Sequence, residues 1–488
     1  MKIAFIVQRY GTEVLGGSEH LSRLLAERLA EHHDVDVLTT CARDYITWKN
    51  EYREGTDRIC GVTVRRFATA RTRDQASFNK YSDWIYATPH TRADEMEWLK
   101  QQGPWSPALI EYLRRNQQQY DVLVFFTYLY APTVLGLEVN PGKSVLVPTA
   151  HDEPAIQLEI FKDVFSKPGA ICYLTDSEQH FVQRQFPERP LLEEVIGVGV
   201  DIPQQQAYPR TPLVDDGSGQ PGGSGKWGES GGSSGSDESG APAAITSRGH
   251  EDPRLGIGVS SRRGWGPGAS EESQTGTDAP SLDTAAPRRA VGDDADYFPS
   301  HLMARGSVFK RRHRLHGPIV LYGGRIDPGK GCEELLEYFG AYAKEGGEAT
   351  LALMGAKMMS LPEDPYIRFA GMLSEGERLQ ALEAATVVVC PSPYESLSLL
   401  ALEAMSAGTP VLVNARSAVL VQHCVQSNGG LYYADRDEFV ECLKLLVRDE
   451  PLRRALGDNG REYVRCSYRW DVVLEKYERI FAKVRNAR

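Results

Sequence analysis

Two series of short apolar runs, separated by helix-like segments, recur along this 488-residue chain. The first series comprises residues 2–7, 35–40, 62–67, 122–126 and 145–148, and the second comprises residues 319–322, 350–355, 367–371, 387–390 and 411–413. Nearly continuous apolar runs of this length are typical of parallel strands that helices cover on both faces. The pattern predicts an α/β fold with two doubly wound domains, whose ligands bind at the carboxyl ends of the strands in a cleft between the domains.

A segment of different composition separates the two series. Residues 203–297 are rich in Gly, Ser and Pro and poor in aliphatic side chains, so they cannot form a core. We interpret this segment as a long disordered insertion in the linker between an amino-terminal domain, residues 1–202, and a carboxyl-terminal domain, residues 298–469. The alternative is a segment that binds a partner or is modified, with Trp227 and Trp265 as its large anchors.

Composition limits the functions that this chain can have. The sequence is 41% hydrophobic, enough for two sizeable cores, and its net charge of −11 argues against a general affinity for nucleic acid. The eight cysteines are scattered without a C-x-x-C pair or a metal-ligand cluster, which predicts reduced, mostly buried thiols and no metal site. The sequence contains neither a signal-peptide core nor an apolar run of roughly 18 residues, so we expect a cytoplasmic protein.

Two carboxylates, Glu395 and Glu403, stand eight residues apart across a predicted junction between a loop and a helix. Ser396 or Ser398 is suited to cap this helix, and Gly408 is suited to end it. Most side chains between these signals are apolar, which predicts a helix buried nearly all round, where an ionised Glu403 needs partners. Hydroxyl groups of a ligand would serve as such partners, and a narrow solvent-facing edge of the helix is the alternative.

A glycine-rich turn with two cations follows the apolar run at 318–322 and leads into a helix-like segment that begins at Cys332. Backbone N–H groups and the helix dipole favour an anion over such a turn. Arg325 and Lys330 add a guanidinium fork and an ammonium group, enough to neutralise a diphosphate without metal. The residues fit a P-loop as far as Lys330, but Gly331 stands where Mg²⁺ coordination needs Ser or Thr. An ordinary solvated turn is the alternative.

His151 directly follows another apolar run, so it is predicted to emerge at the carboxyl end of a strand and to face the cleft. A single His is more often structural than functional. Asp152 and Glu153 are suited to orient acceptor hydroxyls, although Pro154 beside them also fits a simple polar turn. We therefore treat His151 and Asp152 as candidate site residues.

The Gly-Arg-x4-Lys-Gly motif at 324–331 and the Glu-x7-Glu motif at 395–403 together resemble the donor-site signature of the family 4 retaining glycosyltransferases. The resemblance covers most of the chain. It implies the GT-B fold, in which two Rossmann-like domains face each other across a cleft and the terminal helix, here about residues 470–488, packs back on the first domain. Gly16 and Gly17 match the family's glycine loop, which approaches the donor phosphates and sugar, and His151 matches a histidine that commonly contacts the transferred sugar.

The resemblance implies a nucleotide-diphosphate sugar as donor, with no metal and no cofactor. The leaving diphosphate would be stabilised by two cations and by backbone N–H groups at the start of the predicted helix, namely Arg325, Lys330, Leu397, Ser398 and Leu399. Glu395 would contact the sugar or face the developing oxocarbenium, and Glu403 would accept hydrogen bonds from the ribose. Family members often have Glu-Gly-Phe-Gly where this chain has Glu395-Ser-Leu-Ser398, so the backbone there must accommodate side chains that glycine lacks.

Other classes of protein fit less well. A hydrolase that used Glu395 and Glu403 would need carboxyl groups roughly 5 to 9.5 Å apart, whereas eight positions of continuous helix rise about 12 Å, although Glu395 is expected outside the helix. A sugar-nucleotide epimerase or a phosphorylase shares the scaffold, but no segment indicates the lysine that a phosphorylase of the glycogen type needs for pyridoxal phosphate. A non-catalytic nucleotide-sugar-binding protein is the remaining alternative, and the intact Arg325, Lys330, Glu395 and Glu403 count against it.

The predicted function is therefore the retaining, metal-independent transfer of a sugar to a hydroxyl of a glycan or lipid-linked acceptor, as in polysaccharide biosynthesis. Residues 45–102, rich in Trp, Tyr and Arg, are the candidate acceptor-binding region. Residues 298–316 are predicted to contain a helix, and the basic cluster at 310–314 suits peripheral contact with anionic lipid at the inner face of a membrane. A solvated helix face is the alternative for this cluster.

Overall fold

Two sheets organise the part of the chain that the computed structural model describes, residues 1–14, 16–201 and 305–487. The strands of the first sheet are β1 (Lys2–Ile6), β2 (Asp34–Thr40), β3 (Gly55–Ile59), β4 (Val62–Phe67), β5 (Val122–Phe126), β6 (Ser144–Val147), β7 (Ala170–Tyr173) and β8 (Glu193–Val195). The strands of the second are β9 (Ile319–Gly323), β10 (Thr350–Met354), β11 (Ile367–Gly371), β12 (Val387–Cys390), β13 (Val411–Asn414) and β14 (Gly430–Tyr433). The two doubly wound domains are confirmed, and the predicted insertion at 203–297 lies outside the described residues.

Helices connect the strands and cover both sheets. In the first domain they are α1 (Gly17–Leu29), α2 (Gln75–Ala87), α3 (Arg92–Gln102), α4 (Pro107–Asn116), α5 (Ala131–Leu137), α6 (Ile160–Ser166) and α7 (Asp176–Gln185). The later helices are α8 (Arg305–His313), α9 (Cys332–Lys344), α10 (Glu375–Ala384), α11 (Leu399–Ala407), α12 (Ala418–Ser427), α13 (Arg436–Arg448), α14 (Glu450–Ser467) and α15 (Trp470–Asn486). None of the described helices combines the length and apolar character needed to cross a membrane.

The first sheet has the order β3-β4-β2-β1-β5-β6-β7-β8, and its strands are parallel except for β3, which pairs antiparallel with β4. Strand β1 shows why both faces are covered. Ile3 and Phe5 contribute to one hydrophobic core, whereas Ala4 and Ile6 contribute to another. Because successive side chains of a strand point to opposite faces, a strand in which these four consecutive residues are fully buried must lie between two layers of helices.

The second sheet is parallel throughout and has the order β11-β10-β9-β12-β13-β14. Its first strand along the chain, β9, therefore lies at the centre beside β12, where the strand order reverses. In open parallel sheets the crevice for ligands forms at this position, outside the carboxyl ends of the two central strands. The equivalent pair in the first sheet is β1 and β5.

Two segments at the junction of the domains, residues 195–201 and 468–470, lie beside each other. The Val200 N–H donates to the Tyr468 carbonyl at 2.7 Å. A Cβ placed on Gly199 would lie 2.1 Å from the Trp470 ring, so the two segments approach closely. Helix α15, which begins at Trp470, then packs on β5 and β6 of the first sheet, and Lys476 Nζ donates to the Val195 carbonyl at 3.3 Å.

Four strands are absent from the two predicted series, namely β3, β7, β8 and β14, and all of them except β7 lie at the edges of the sheets. Strand β3 has four exposed residues and a polar sequence, Gly-Thr-Asp-Arg-Ile. Strand β14 begins with glycine and ends the second sheet. Edge strands are half solvated and do not need a continuous apolar run.

We predict that Gly355→Ala lowers the free energy of unfolding by about 3 kcal/mol. Gly355 follows β10 with φ of +123°, and a Cβ there would lie 1.9 Å from the Gly324 carbonyl oxygen, so backbone strain and a steric clash act together. The matched control is Gly346→Ala, where φ is +83° and no heavy atom lies within 4 Å. Strain alone should cost about 1 kcal/mol there. Equal losses of the two variants in equilibrium denaturant unfolding would contradict this packing account.

Candidate functional site

The loops that follow β9 and β12 meet at the centre of the second sheet. Gly331 has φ of +72°, and a Cβ there would lie 2.3 Å from the Pro391 carbonyl oxygen, so glycine permits a close approach of the two loops. Beside it, Lys330 Nζ donates a hydrogen bond to Glu395 Oε1 at 2.7 Å. The side chains are 30% and 19% exposed, so a ligand in the crevice can reach both. The two motifs found in the sequence are therefore in contact.

Arg325, the second cation of the turn, contacts the first domain. Its Nη1 donates to the Tyr45 hydroxyl at 2.6 Å, and its guanidinium carbon lies 5.1 Å from the centroid of the Tyr45 ring. Arg325 Nε also lies 3.5 Å from Asp327 Oδ2. The guanidinium is thus held between a tyrosine and a carboxylate, and one third of the side chain remains exposed.

The start of α11 differs from the prediction. The helix begins at Leu399, so Leu397 and Ser398 precede the first turn that we assigned to them. Ser398 occupies the cap position with φ of +68° and makes no side-chain cap hydrogen bond. The prediction that Ser396 or Ser398 caps the helix through its side chain is therefore wrong, because such a cap requires an extended backbone and Ser398 is left-handed.

Glu403 lies on α11, where it pairs with Arg378 of α10. The side chain is 16% exposed, and burial raises its pKa to about 7, against the opposing effect of Arg378. The nearby carboxylates Asp201 and Glu375 contribute to this increase. The sequence indicated ligand hydroxyls as partners, but the described structure supplies an arginine from another helix, which no local motif indicates.

Hydrogen bonds hold the first domain against this part of the second. Arg23 Nη2 of α1 donates to Glu375 Oε1 at 2.8 Å. The Thr175 hydroxyl, at the start of α7, donates to the Ser396 carbonyl at 3.2 Å, one residue after Glu395. Both candidate carboxylates of the second domain therefore lie close to residues that anchor it to the first.

His151 faces the second domain from the carboxyl end of β6. The centroid of its ring lies 6.2 Å from that of Tyr394, the residue before Glu395. Its Nε2 lies 3.7 Å from Glu153 Oε1. Asp152 is exposed and makes no hydrogen bond or ion pair with any described residue. The structure therefore brings His151 towards the Glu395 loop and gives Asp152 no partner among the described residues.

A buried carboxylate that the sequence analysis missed, Glu178, holds the loop before His151. Its two oxygens accept hydrogen bonds from the Ala150 N–H at 2.6 Å and the Leu174 N–H at 2.7 Å. Burial raises the pKa of Glu178 to about 8, although these hydrogen bonds lower it. Thr175-x-x-Glu178 is a capping-box pattern, and Thr175 does accept from the Glu178 N–H at 3.1 Å. The pattern thus identifies the start of the helix, but it does not indicate that Glu178 binds the distant Ala150 N–H.

The two glycines of the first domain have different environments. Gly16 is the cap residue of α1, and Gly17 is already its first residue, so the predicted glycine loop ends earlier than expected. A Cβ on Gly16 would lie 2.1 Å from Glu19 Oε2. The Glu19 carboxylate is held in place by a buried ion pair, in which Arg9 Nε donates to Glu19 Oε1 at 2.9 Å. A Cβ on Gly17 would meet no heavy atom within 4 Å. Of these two positions, only Gly16 lacks the space for a larger side chain.

Comparisons with known proteins identify the second domain. Residues 307–463 match the family model for glycosyl transferases group 1. A D-inositol 3-phosphate glycosyltransferase from Corynebacterium diphtheriae is 27% identical over 184 residues, which cover 34% of this chain and 43% of that protein. The match thus spans less than half the length of this curated relative. The second domain is a group 1 glycosyltransferase domain.

Solved structures support the fold over the whole chain. Sucrose-phosphate synthase from Thermosynechococcus elongatus superposes with a TM-score of 0.59 at 16% identity and covers 100% of both chains. Anabaena Alr3699/HepE in complex with UDP and glucose gives a TM-score of 0.59 at 13% identity, covering 99% of this chain and 100% of that chain. At these identities the likeness concerns the fold alone, and it confirms the predicted GT-B architecture.

We predict that Ser398→Gly raises the free energy of unfolding by about 1 kcal/mol, because glycine adopts the left-handed backbone without steric strain. Asn428→Gly is the matched control. Asn428 has φ of +46°, and asparagine tolerates this region better than serine, so its gain should be smaller. Denaturant unfolding measures both changes. A loss of stability in Ser398→Gly would show that the hydroxyl matters more than the backbone.

The pKa of Glu403 predicts a pH-dependent stability. Its folded value of about 7 exceeds the ordinary value of 4.5, so folding favours the protonated form. The resulting stabilisation is complete below the ordinary value and is lost as the pH rises through about 7. Relative to Glu403→Gln, the free energy of unfolding of the wild type should fall by on the order of 1–3 kcal/mol between about pH 5 and pH 8. Unfolding curves of both proteins at several pH values test this. A difference in free energy of unfolding that does not change with pH would contradict the prediction.

Proposed function

We propose that the protein is a retaining, metal-independent glycosyltransferase that moves a sugar from a nucleotide-diphosphate sugar to a hydroxyl of a glycan or lipid-linked acceptor. The observation that carries this proposal is the contact between Lys330 and Glu395 inside a group 1 glycosyltransferase domain. It joins a cationic turn to a carboxylate at the crevice of the sheet, where a donor ligand is expected. A nucleotide sugar also agrees with Alr3699/HepE, whose structure contains UDP and glucose.

The diphosphate would bind where positive charge converges. Arg325 and Lys330 are both partly exposed at the turn after β9. The N–H groups that precede and begin α11, at Leu397, Ser398 and Leu399, add dipoles from the other loop, since the first N–H groups of a helix have no partner within it. Donors that are already fixed in place stabilise the charge that develops on the leaving diphosphate, because they do not have to reorient during the reaction. This proposal therefore needs no metal or cofactor.

Two carboxylates would hold the sugar and the ribose. Binding of the diphosphate would draw Lys330 towards phosphate, and Glu395 would then be available to the sugar hydroxyls. His151 would approach the same sugar from the first domain, opposite the Glu395 loop. Glu403 would accept hydrogen bonds from the ribose hydroxyls, with Arg378 keeping part of the charge neutralised. The ionised form of Glu403 is the better acceptor and predominates above about pH 7.

Transfer with retention would follow a front-face path. The acceptor oxygen attacks the anomeric carbon, the bond from this carbon to the diphosphate oxygen breaks, and the acceptor proton passes to the leaving diphosphate. Asp152, exposed beside His151, would orient an acceptor hydroxyl, and Gly16 and Gly17 would leave room for the sugar at the start of α1. For a lipid-linked acceptor, the basic residues of α8 would contact the membrane face.

The test is a panel of UDP-, GDP- and ADP-sugars, followed by thermal shift and by product formation, with and without Mg²⁺. One donor should stabilise the protein and be consumed without metal. Arg325→Ala should weaken its binding by about tenfold or more, because it removes a charged hydrogen-bond donor from phosphate. Arg454→Ala, at an exposed arginine of α14, is the matched control and should bind like the wild type. An absolute need for Mg²⁺, or no binding by any donor, would contradict the proposal.

A further inference from the structure

A buried histidine holds the backbone between Glu395 and α11. His423 lies on α12 and is 1% exposed. Its Nε2 lies 2.7 Å from the Leu397 carbonyl oxygen. A carbonyl oxygen can only accept a hydrogen bond, so Nε2 must carry the proton and donate it. The side chain of His423 thus acts on a peptide group two residues after Glu395.

Two tyrosine hydroxyls lie beside the other ring nitrogen of His423. Its Nδ1 lies 3.0 Å from the Tyr463 hydroxyl, which in turn lies 3.1 Å from the Tyr468 hydroxyl. The Tyr463 hydroxyl also lies 3.0 Å from Gln426 Oε1, so its single proton has two possible acceptors. Burial lowers the pKa of His423 to about 4, so the ring is neutral near pH 7. The Leu397 carbonyl therefore fixes the tautomer, and a hydroxyl beside the unprotonated Nδ1 is compatible with it.

The direction of one carbonyl determines the direction of the next N–H. In a planar trans peptide the C=O and the following N–H point in opposite directions. Because His423 holds the Leu397 carbonyl, the Ser398 N–H is directed away from α12. The Ser396 carbonyl is fixed in the same way by Thr175 at 3.2 Å, which sets the Leu397 N–H. Ser398 is left-handed, a conformation that serine adopts only at a steric cost, so a hydrogen bond from outside the loop helps to hold this peptide.

We propose that His423 is a positioning residue for the donor diphosphate: it holds the Leu397–Ser398 peptide so that the Ser398 N–H is preorganised to bind a phosphate oxygen. This inference rests on the proposed function. His423 does not contact the substrate and acts only through the backbone. Its loss should therefore affect recognition of phosphate and leave recognition of the nucleoside unchanged.

The experiment compares wild type, His423→Leu and His423→Gln by calorimetric titration with UDP, GDP and ADP, and with the matching nucleosides. In His423→Leu, the affinity for the preferred diphosphate should fall by about tenfold or more, while nucleoside affinity stays within about twofold. His423→Gln, whose amide can still donate to Leu397, should recover most of the loss. Val419→Ala, a buried truncation on the same helix, is the packing control and should bind like the wild type.

Each other outcome overturns the inference. Equal binding by His423→Leu and wild type would remove the positioning role while leaving the proposed function intact. Equal losses for diphosphates and nucleosides, or no recovery in His423→Gln, would assign His423 to packing alone. If the wild type binds none of the three diphosphates, the proposed function fails and the inference fails with it.

Discussion

The hydrogen bond between Lys330 and Glu395 joins two loops that are 65 residues apart in the sequence, and the site depends on this junction. It forms only because Gly331 allows the turn after β9 to approach Pro391. A partly exposed ion pair of this kind contributes about 0–1 kcal/mol to stability. In the proposed function, this ion pair holds an ammonium group and a carboxylate at the crevice, where a diphosphate and a sugar would compete for them.

Backbone groups around this junction are held by buried ionisable side chains. Glu178 binds the N–H of Ala150, next to His151, and His423 binds the Leu397 carbonyl. Burial raises the pKa of Glu178 to about 8, and burial lowers that of His423 to about 4, so the His423 ring is neutral near pH 7. His423 thus orients the backbone without adding charge beside the predicted diphosphate site, where the charges of the substrate and the exposed cations should dominate.

The extent to which the sequence predicted this site follows from the range of the interactions. The positions of Arg325, Lys330 and Glu395 after the strands were predictable because strand, turn and helix signals are local in the sequence, whereas their role in a site stays a prediction. The contact between Arg325 and Tyr45 was not predictable, because it joins residues that are 280 positions apart in the sequence and depends on how the domains meet. The same holds for Arg378, whose pairing with Glu403 needs two helices to be packed side by side.

The most direct test of the central claim is an experimental structure of the protein with a bound nucleoside diphosphate. The account predicts diphosphate oxygens within hydrogen-bonding distance of Arg325, Lys330 and the Ser398 N–H, and ribose hydroxyls at Glu403. A diphosphate bound away from the loops after β9 and β12, with the Lys330–Glu395 contact unchanged, would contradict it.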